Sequence, residues 1–313
     1  MHREEEDEES RHGTRTVMMR RLACGGAAAA TVALSCSQPA RAESAVADLK
    51  RQITNLQRKL EESDGDDAPL VFVIADSISL DYGPALKENL RLLGLRYGRK
   101  NEGALVGDER RGDGDQSVSG QNGGDSSHVL AYCKHLASDV TSTSGADERL
   151  RASVPSALSG TRPLVVLLNA GLHCVKRQTI GGPLQVAPAR YREEMREAIR
   201  VCHRELRARH VVLVNSTPVN TAQHKRYIDT YPPSDAMHGT ERKGEDVVVL
   251  NRVLEELAKS EGCPLIDLHT LTKRMGIAAY RDHVHYTPDV SQAQAAFVAL
   301  ELERLLRVAG SLR

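Results

Sequence analysis

Short apolar runs alternate with longer amphipathic segments along most of this chain. Buried strands are predicted where four or five apolar residues follow one another, or where a shorter apolar run stands between turn residues. Such runs occur at 70–74, 164–168, 211–214 and 264–266. A weaker strand is predicted at 95–100. Helices are predicted where apolar residues recur every three or four positions, at 84–93, 128–136, 189–207, 246–260 and 292–308. This alternation indicates a flavodoxin-like, three-layer α/β/α fold whose central parallel sheet has about five strands.

Two stretches interrupt the alternation. Residues 101–127 are rich in glycine, and residues 138–162 are rich in serine, threonine and glycine. Neither has the periodicity of a helix or a strand, so both are predicted to be long loops.

The N-terminal segment, residues 1–43, has the composition of an acidic extension followed by a targeting leader. Within 18–42, two arginines precede a mildly apolar run, and Ala40-Arg41-Ala42 has the small-x-small pattern of a signal-peptidase site. The run is too short to cross a bilayer. We therefore expect a secreted or membrane-proximal protein, with a disordered or organelle-targeting leader as the alternative.

Residues 44–68 predict an amphipathic helix and a linker. Apolar residues recur at spacings of three and four across 46–60, and the polar sequence EESDGDD follows at 61–67. Because the repeat covers barely two heptads, a helix lying on the body of the protein or forming a stalk is favoured over a stable coiled coil. Weak self-association through 46–60 stays open. Residues 69–313 are then predicted to form one α/β domain.

Composition excludes several classes of partner. The formal net charge is zero and aromatic residues make up 3% of the chain, with no Trp. The chain therefore has neither a global basic field nor the aromatic residues that would stack on nucleic-acid bases, and we expect no nucleic-acid partner. Beyond the leader four widely spaced cysteines remain, which we expect to be buried thiols, although an oxidising compartment would permit a bridge: Cys133, Cys174, Cys202 and Cys263.

Reactive groups in a parallel sheet gather at the carboxyl ends of the strands. Four polar segments stand at or near such ends, reading ADSIS at 75–79, NGGDSS at 122–127, NAGLHC at 169–174 and DHVHYT at 282–287. In this order they resemble the four blocks of the SGNH (GDSL-type) hydrolases. The resemblance extends over about residues 69–306 and implies a serine hydrolase.

The residue chemistry agrees with that resemblance. A serine hydroxyl becomes a nucleophile when a base takes its proton, and a third group must orient that base. Asp282 and His285, three positions apart, can face Ser77 from a single turn. The family pattern likewise implies Ser77 as nucleophile, with His285 as base and Asp282 as its orienting acid.

The resemblance also implies hydrogen-bond donors for the oxyanion of the tetrahedral intermediate. These would be the backbone N–H groups of Ser77 and Gly124 and one side chain from the third block. His173 occupies the position where the family usually has Asn, and an imidazole N–H can donate. Asn169 is the alternative donor.

The sequence departs from the family pattern in two blocks. Ala75 stands where the first block usually has Gly, a change that the turn can absorb if its backbone is not left-handed. Cys174 stands where even the nearest branch, with Gly-Leu-His-Asp in its third block, has Asp.

Each signal also has a simpler interpretation. Asp-Ser after a strand caps helices, Asn-Gly-Gly forms turns, and Asp-His-Val-His could be a fragment of a metal site, although further ligands at a telling spacing are missing. The four blocks together favour a serine esterase that cleaves a carboxylic ester through an acyl-enzyme. We expect a short acyl group, such as acetate on a carbohydrate or a small alcohol, and no metal or cofactor. The alternative is a catalytically weakened module that binds a glycan or a protein partner through the same cleft.

Overall fold

The computed structural model describes residues 68–99, 122–141, 164–235 and 238–312. The predicted leader, the predicted helix at 46–60 and most of the two predicted loops lie outside these ranges. They remain predictions.

The described part of the chain alternates strands with helices. Its strands are β1 (Leu70–Ile74), β2 (Arg96–Arg99), β3 (Val165–Leu168), β4 (His210–Val214) and β5 (Leu265–Ile266). Its helices are α1 (Ser77–Leu92), α2 (Ser126–Thr141), α3 (Pro188–Arg204), α4 (Thr221–Ile228), α5 (Gly244–Glu261), α6 (Leu268–Arg274) and α7 (Pro288–Val308), with a 3₁₀ turn at Ile277–Ala279.

The five strands form one parallel sheet in the order β2-β1-β3-β4-β5. The chain moves one way from β1 to β2 and the other way through β3, β4 and β5, so right-handed crossovers place α1 on one face and α2, α3 and α5 on the other. In agreement, α1 packs against α7, and α3 packs against both α2 and α5. The predicted three-layer α/β/α fold is confirmed.

The core lies between the sheet and the two helical layers. All five residues of β1 and all four of β3 are buried, which explains why these strands are continuous apolar runs instead of alternating patterns. The four cysteines beyond the leader are buried and free. None of the described helices is both long and apolar enough to cross a membrane.

The largest difference from the predicted helix boundaries occurs where a side chain caps the helix. Helix α1 begins at Ser77, before the predicted start at 84, because Asp76 caps it and Pro84 is accommodated inside it. The short helices α4 and α6 were not predicted. Each begins after a capping side chain, from Asn220 and Asp267 respectively, and each is too short to show a clear period.

Candidate active site

The turn from β1 into α1 places Ser77 at the carboxyl edge of the sheet. The side chain of Asp76 accepts a hydrogen bond from the backbone N–H of Ile78 at 3.1 Å, which makes Ser77 the first residue of the helix. The backbone N–H of Ser77 thus belongs to the first helical turn, where donors have no intrahelical partner. Ala75 is fully buried and does not have a positive φ, so the turn absorbs this departure from the family's Gly.

Ser77, His285 and Asp282 form a continuous chain of hydrogen bonds. Nδ1 of His285 lies 2.8 Å from Oδ2 of Asp282, and Nε2 lies 2.9 Å from Oγ of Ser77. Because a carboxylate can only accept, Nδ1 carries the proton, and Nε2 accepts from the serine hydroxyl. The His285 and Asp282 side chains are 26% and 22% exposed, so the site is open to solvent on one side.

The surrounding backbone fixes the carboxylate of Asp282. Its Oδ1 accepts the N–H groups of Val284 and His285, both at 2.8 Å. Partial burial alone would raise the pKa of Asp282, but the hydrogen bonds from the His285 ring and from these two N–H groups outweigh it and hold the pKa well below its ordinary value. Asp282 is therefore ionised over the whole neutral range and favours positive charge on His285.

The pKa of Asp76 is shifted in the opposite direction from that of Asp282. Burial raises its pKa to about 6, against the opposing effects of the Ile78 N–H and of the charges of His285 and Arg242. Its Oδ2 has no hydrogen-bond partner among the described residues, and Asp76 lines a small cavity together with Thr217. A carboxyl group with a pKa near neutrality thus directly precedes the candidate nucleophile.

The second block packs directly against the first. The N–H of Gly123 donates to the carbonyl of Ala75 at 2.8 Å, and a Cβ at position 123 would lie only 2.8 Å from the same oxygen. A side chain would therefore push the block away from β1. Gly124 has a φ of 65°, and its N–H donates to Oδ1 of Asn122 at 2.9 Å. In this conformation the predicted oxyanion donor Gly124 is engaged by its own loop.

The third block holds the two candidate side-chain donors in different ways. The amide of Asn169 donates to the carbonyl of Val214 at 2.9 Å and so ties β3 to β4. His173 lies in the turn after Gly171, where a Cβ would come within 2.0 Å of the Ser216 hydroxyl. Loss of hydration, assisted by the charge of Arg242, lowers the pKa of His173 to about 3, so its imidazole is neutral at neutral pH. A neutral imidazole still has one N–H to donate.

Cys174 links the third block to α2. Its sulfur accepts the backbone N–H of Ser126 at 3.3 Å, and burial raises the thiol pKa to about 12. The thiol is therefore neutral and unreactive, and its role in the structure is packing and hydrogen bonding.

The sequence did not reveal two groups near the site. Asp125 Oδ1 lies 2.8 Å from Nδ1 of His128, a second Asp-x-x-His pair at the start of α2. Arg242 is buried, and its Nη1 donates to Nε2 of His283 at 3.2 Å. In the sequence Arg242 lies in the charged stretch ERKGED, which has the composition of a solvent-exposed loop. Within the described ranges, no group of three or more His, Cys, Asp or Glu side chains could hold a metal ion.

Comparison with known proteins gave matches to solved structures only. No protein-family model matches the sequence, and no curated protein matches it. A lipase/acylhydrolase from Enterococcus faecalis is 13% identical, with a TM-score of 0.47 over 78% of this chain and 97% of that chain. A member of the lipolytic G-D-S-L family from Veillonella parvula is 12% identical, with a TM-score of 0.44 over 75% and 98%.

An acetylxylan esterase from Geobacillus stearothermophilus is 14% identical, with a TM-score of 0.42 over 77% of this chain and 94% of that chain. The solved structures similar to this chain thus include hydrolases of the GDSL and SGNH type, the family that its four sequence blocks resemble.

Proposed function

We propose that this protein is a serine esterase of the SGNH type that hydrolyses a carboxylic ester through an acyl-enzyme. The observation that carries the proposal is the hydrogen-bonded chain from Asp282 through His285 to Ser77. The chemistry needs a hydroxyl, a base within hydrogen-bond distance and an acid that orients the base, and these three residues meet all three requirements.

In the first half of the reaction, Oγ of Ser77 attacks the ester carbonyl while Nε2 of His285 takes the hydroxyl proton. The resulting imidazolium is stabilised by the ionised Asp282. The C–O bond to the alcohol then breaks, and the alcohol leaves with the proton that His285 returns.

In the second half, water replaces the alcohol. His285 accepts a proton from water as the oxygen attacks the acyl carbon, and it returns that proton to Ser77 as the carboxylic acid is released. The enzyme is regenerated with no change in its atoms or charge.

The oxyanion donors in this proposal are the N–H of Ser77 and the neutral imidazole of His173. Asn169 is the alternative candidate, because one N–H of its amide bonds to the Val214 carbonyl and an amide has a second N–H to donate. Gly124 joins the donors only if the side chain of Asn122 turns away, since it now accepts the Gly124 N–H. Such donors act mainly on the transition state, so their loss is expected to lower kcat more than it raises KM.

A groove bordered by α1 and by the segment from Arg281 to Gln292 supports a hydroxylated alcohol as the leaving group. The groove has a volume of about 310 Å³, and Asp81, Arg281 and Gln292 supply polar groups to its lining. Asp81 lies one helical turn after Ser77, on the same side of α1, and Arg281 directly precedes Asp282. The ion pair of Asp81 and Arg281, 3.4 Å apart, and the amide of Gln292 suit the hydroxyl groups of a carbohydrate better than a long acyl chain.

The test combines a covalent probe with two ester substrates. We expect a fluorophosphonate to label Ser77, and p-nitrophenyl acetate to be turned over faster than the octanoate. Ser77→Ala should lose roughly 10⁴-fold in turnover or more. Ser260→Ala is the matched control, because Ser260 is exposed at the end of α5 that precedes β5. A Ser77→Ala variant that keeps more than about a tenth of the wild-type rate would refute the nucleophile assignment.

A binding module remains the second candidate function, because the Gly124 N–H is not available to an oxyanion in this conformation. In that case Ser77 stays unlabelled, while an acetylated oligosaccharide binds equally well to the wild type and to Ser77→Ala. Labelling of Ser77 with measurable turnover excludes this candidate.

Export of the protein is a separate proposal that rests on the sequence pattern at 18–42 alone. N-terminal sequencing of the protein after expression in a secreting host tests it. A mature chain that begins at Glu43 supports export, and an intact leader on intracellular protein contradicts it.

A further inference from the structure

Arg242 is a buried cation close to the last block of the site. It is 7% exposed and lies in the segment between α4 and α5. Its Nη1 lies 3.2 Å from Nε2 of His283, which is itself 3% exposed. Because a guanidinium can only donate, Nε2 of His283 must accept, and the proton of this imidazole is therefore on Nδ1.

The protonated nitrogen of His283 is directed to the same carboxylate that orients the base. Nδ1 of His283 lies 3.8 Å from Oδ1 of Asp282 and has no hydrogen-bond partner among the described groups. At this distance the contact is not a hydrogen bond, but the N–H dipole still favours the ionised form of Asp282 over the protonated form. Asp282 thus faces a neutral imidazole that Arg242 polarises on one side and His285 on the other.

The ring of His283 is held in place from several directions. The rings of His224 and Tyr227 lie 4.5 Å and 4.7 Å from it, centre to centre. Its backbone carbonyl accepts the N–H of Asn220 at 2.9 Å. A ring packed in this way cannot simply rotate away from Asp282.

We propose that Arg242 and His283 are positioning residues, which hold the carboxylate of Asp282 in the orientation that His285 needs to activate Ser77. This inference rests on the proposed esterase function. The Arg242–His283 bond fixes which nitrogen of His283 is protonated, and the packed His283 ring limits the movement of Asp282. Neither residue touches the reacting atoms.

The test measures kcat and KM for p-nitrophenyl acetate, together with thermal unfolding, for Arg242→Gln, Arg242→Lys, His283→Ala and the double variant Arg242→Gln/His283→Ala. Arg242→Gln should lower kcat about tenfold with little change in KM, which corresponds to about 1.4 kcal/mol in the barrier. Arg242→Lys should recover part of that loss because, unlike the Gln amide, an ammonium group donates to Nε2 with the positive charge that polarises His283. The double variant should be no slower than the slower single variant, since both changes break one chain of contacts.

Arg304→Gln is the matched control. Arg304 is 61% exposed and pairs with Glu301 on the surface of α7, away from the last block. It should leave kcat at the wild-type value.

Three results would overturn the inference. A lower melting temperature with unchanged kcat means that Arg242 only supports the fold, whereas a rise confined to KM means that it contacts the substrate. Losses that multiply in the double variant mean that Arg242 and His283 act separately.

Failure of the proposed function gives a different result. If wild-type Ser77 does not react with a fluorophosphonate, the esterase function fails and the inference falls with it. If wild-type Ser77 is labelled, and Arg242→Gln is labelled at the same rate, the inference alone fails.

Discussion

Replacing Asp76 by Asn should stabilise the protein at alkaline pH. Burial raises the pKa of Asp76 from 3.8 to about 6, so between these values the folded state keeps a proton that the unfolded state has lost. The free energy of unfolding therefore falls as the pH rises through this window. Two pH units correspond to about 3 kcal/mol, at 1.36 kcal/mol per unit. Asn is neutral at every pH, and its oxygen can still accept the Ile78 N–H.

Thermal unfolding of the wild type and Asp76→Asn at pH 4 and at pH 8 tests this reasoning. We expect the two melting temperatures to be similar at pH 4. At pH 8 Asp76→Asn should melt roughly 6–12 °C higher, since 1 kcal/mol corresponds to about 2–4 °C in a domain of this size. Asp282→Asn is the control of opposite sign, because the pKa of Asp282 is lowered and its ionised form stabilises the fold above pH 4. Equal melting temperatures for the wild type and Asp76→Asn at pH 8 would show that the ionised form of Asp76 does not destabilise the folded state.

Two further comparisons separate candidate residues in the site. On p-nitrophenyl acetate, the turnover rate of His285→Ala should fall nearly to that of Ser77→Ala, whereas the rate of His283→Ala should stay within roughly tenfold of the wild type. The reverse order would show that the base is misassigned. His173→Ala should lose about 10² to 10³ in kcat with little change in KM, and His173→Asn should recover much of that loss because an amide is again available to donate. Asn169→Ala should mainly lower the melting temperature, since its amide bonds to β4, and a larger kcat defect there than at His173 would transfer the donor role to Asn169.

The fold could be predicted because the three central strands, β1, β3 and β4, are buried on both faces. A short continuous apolar run such as 70–74, in a chain where such runs alternate with helical segments, indicates a buried strand of a parallel sheet. In a parallel sheet the carboxyl ends of the strands then lie at one edge. The meeting of Ser77 with Asp282 and His285 was predictable on different grounds. Only Ser77 directly follows a strand, whereas Asp282 and His285 come after α6 and the 3₁₀ turn, so their role was predicted from their three-residue spacing and the resemblance of the last block.

The remaining features depend on packing that no local pattern records. Arg242 looks like a surface residue in the sequence, and only the tertiary structure places it against His283. The raised pKa of Asp76 likewise comes from burial by residues distant along the chain. The bond from Gly124 to Asn122 depends on one side-chain rotamer, and a turn-forming Asn-Gly-Gly sequence does not specify that rotamer.

The long separation between Ser77 and His285 makes activity a sensitive report on complete folding. The two residues are 208 positions apart: Ser77 begins α1, and His285 lies just before α7. The two helices pack against each other. During refolding, β1 and α1 can form early, but Ser77 is then an ordinary alcohol with no base beside it. A contact across so long a stretch of chain must overcome the entropy of loop closure before it forms. The first appearance of a reactive serine, followed with a fluorophosphonate, would therefore time the docking of the C-terminal helix.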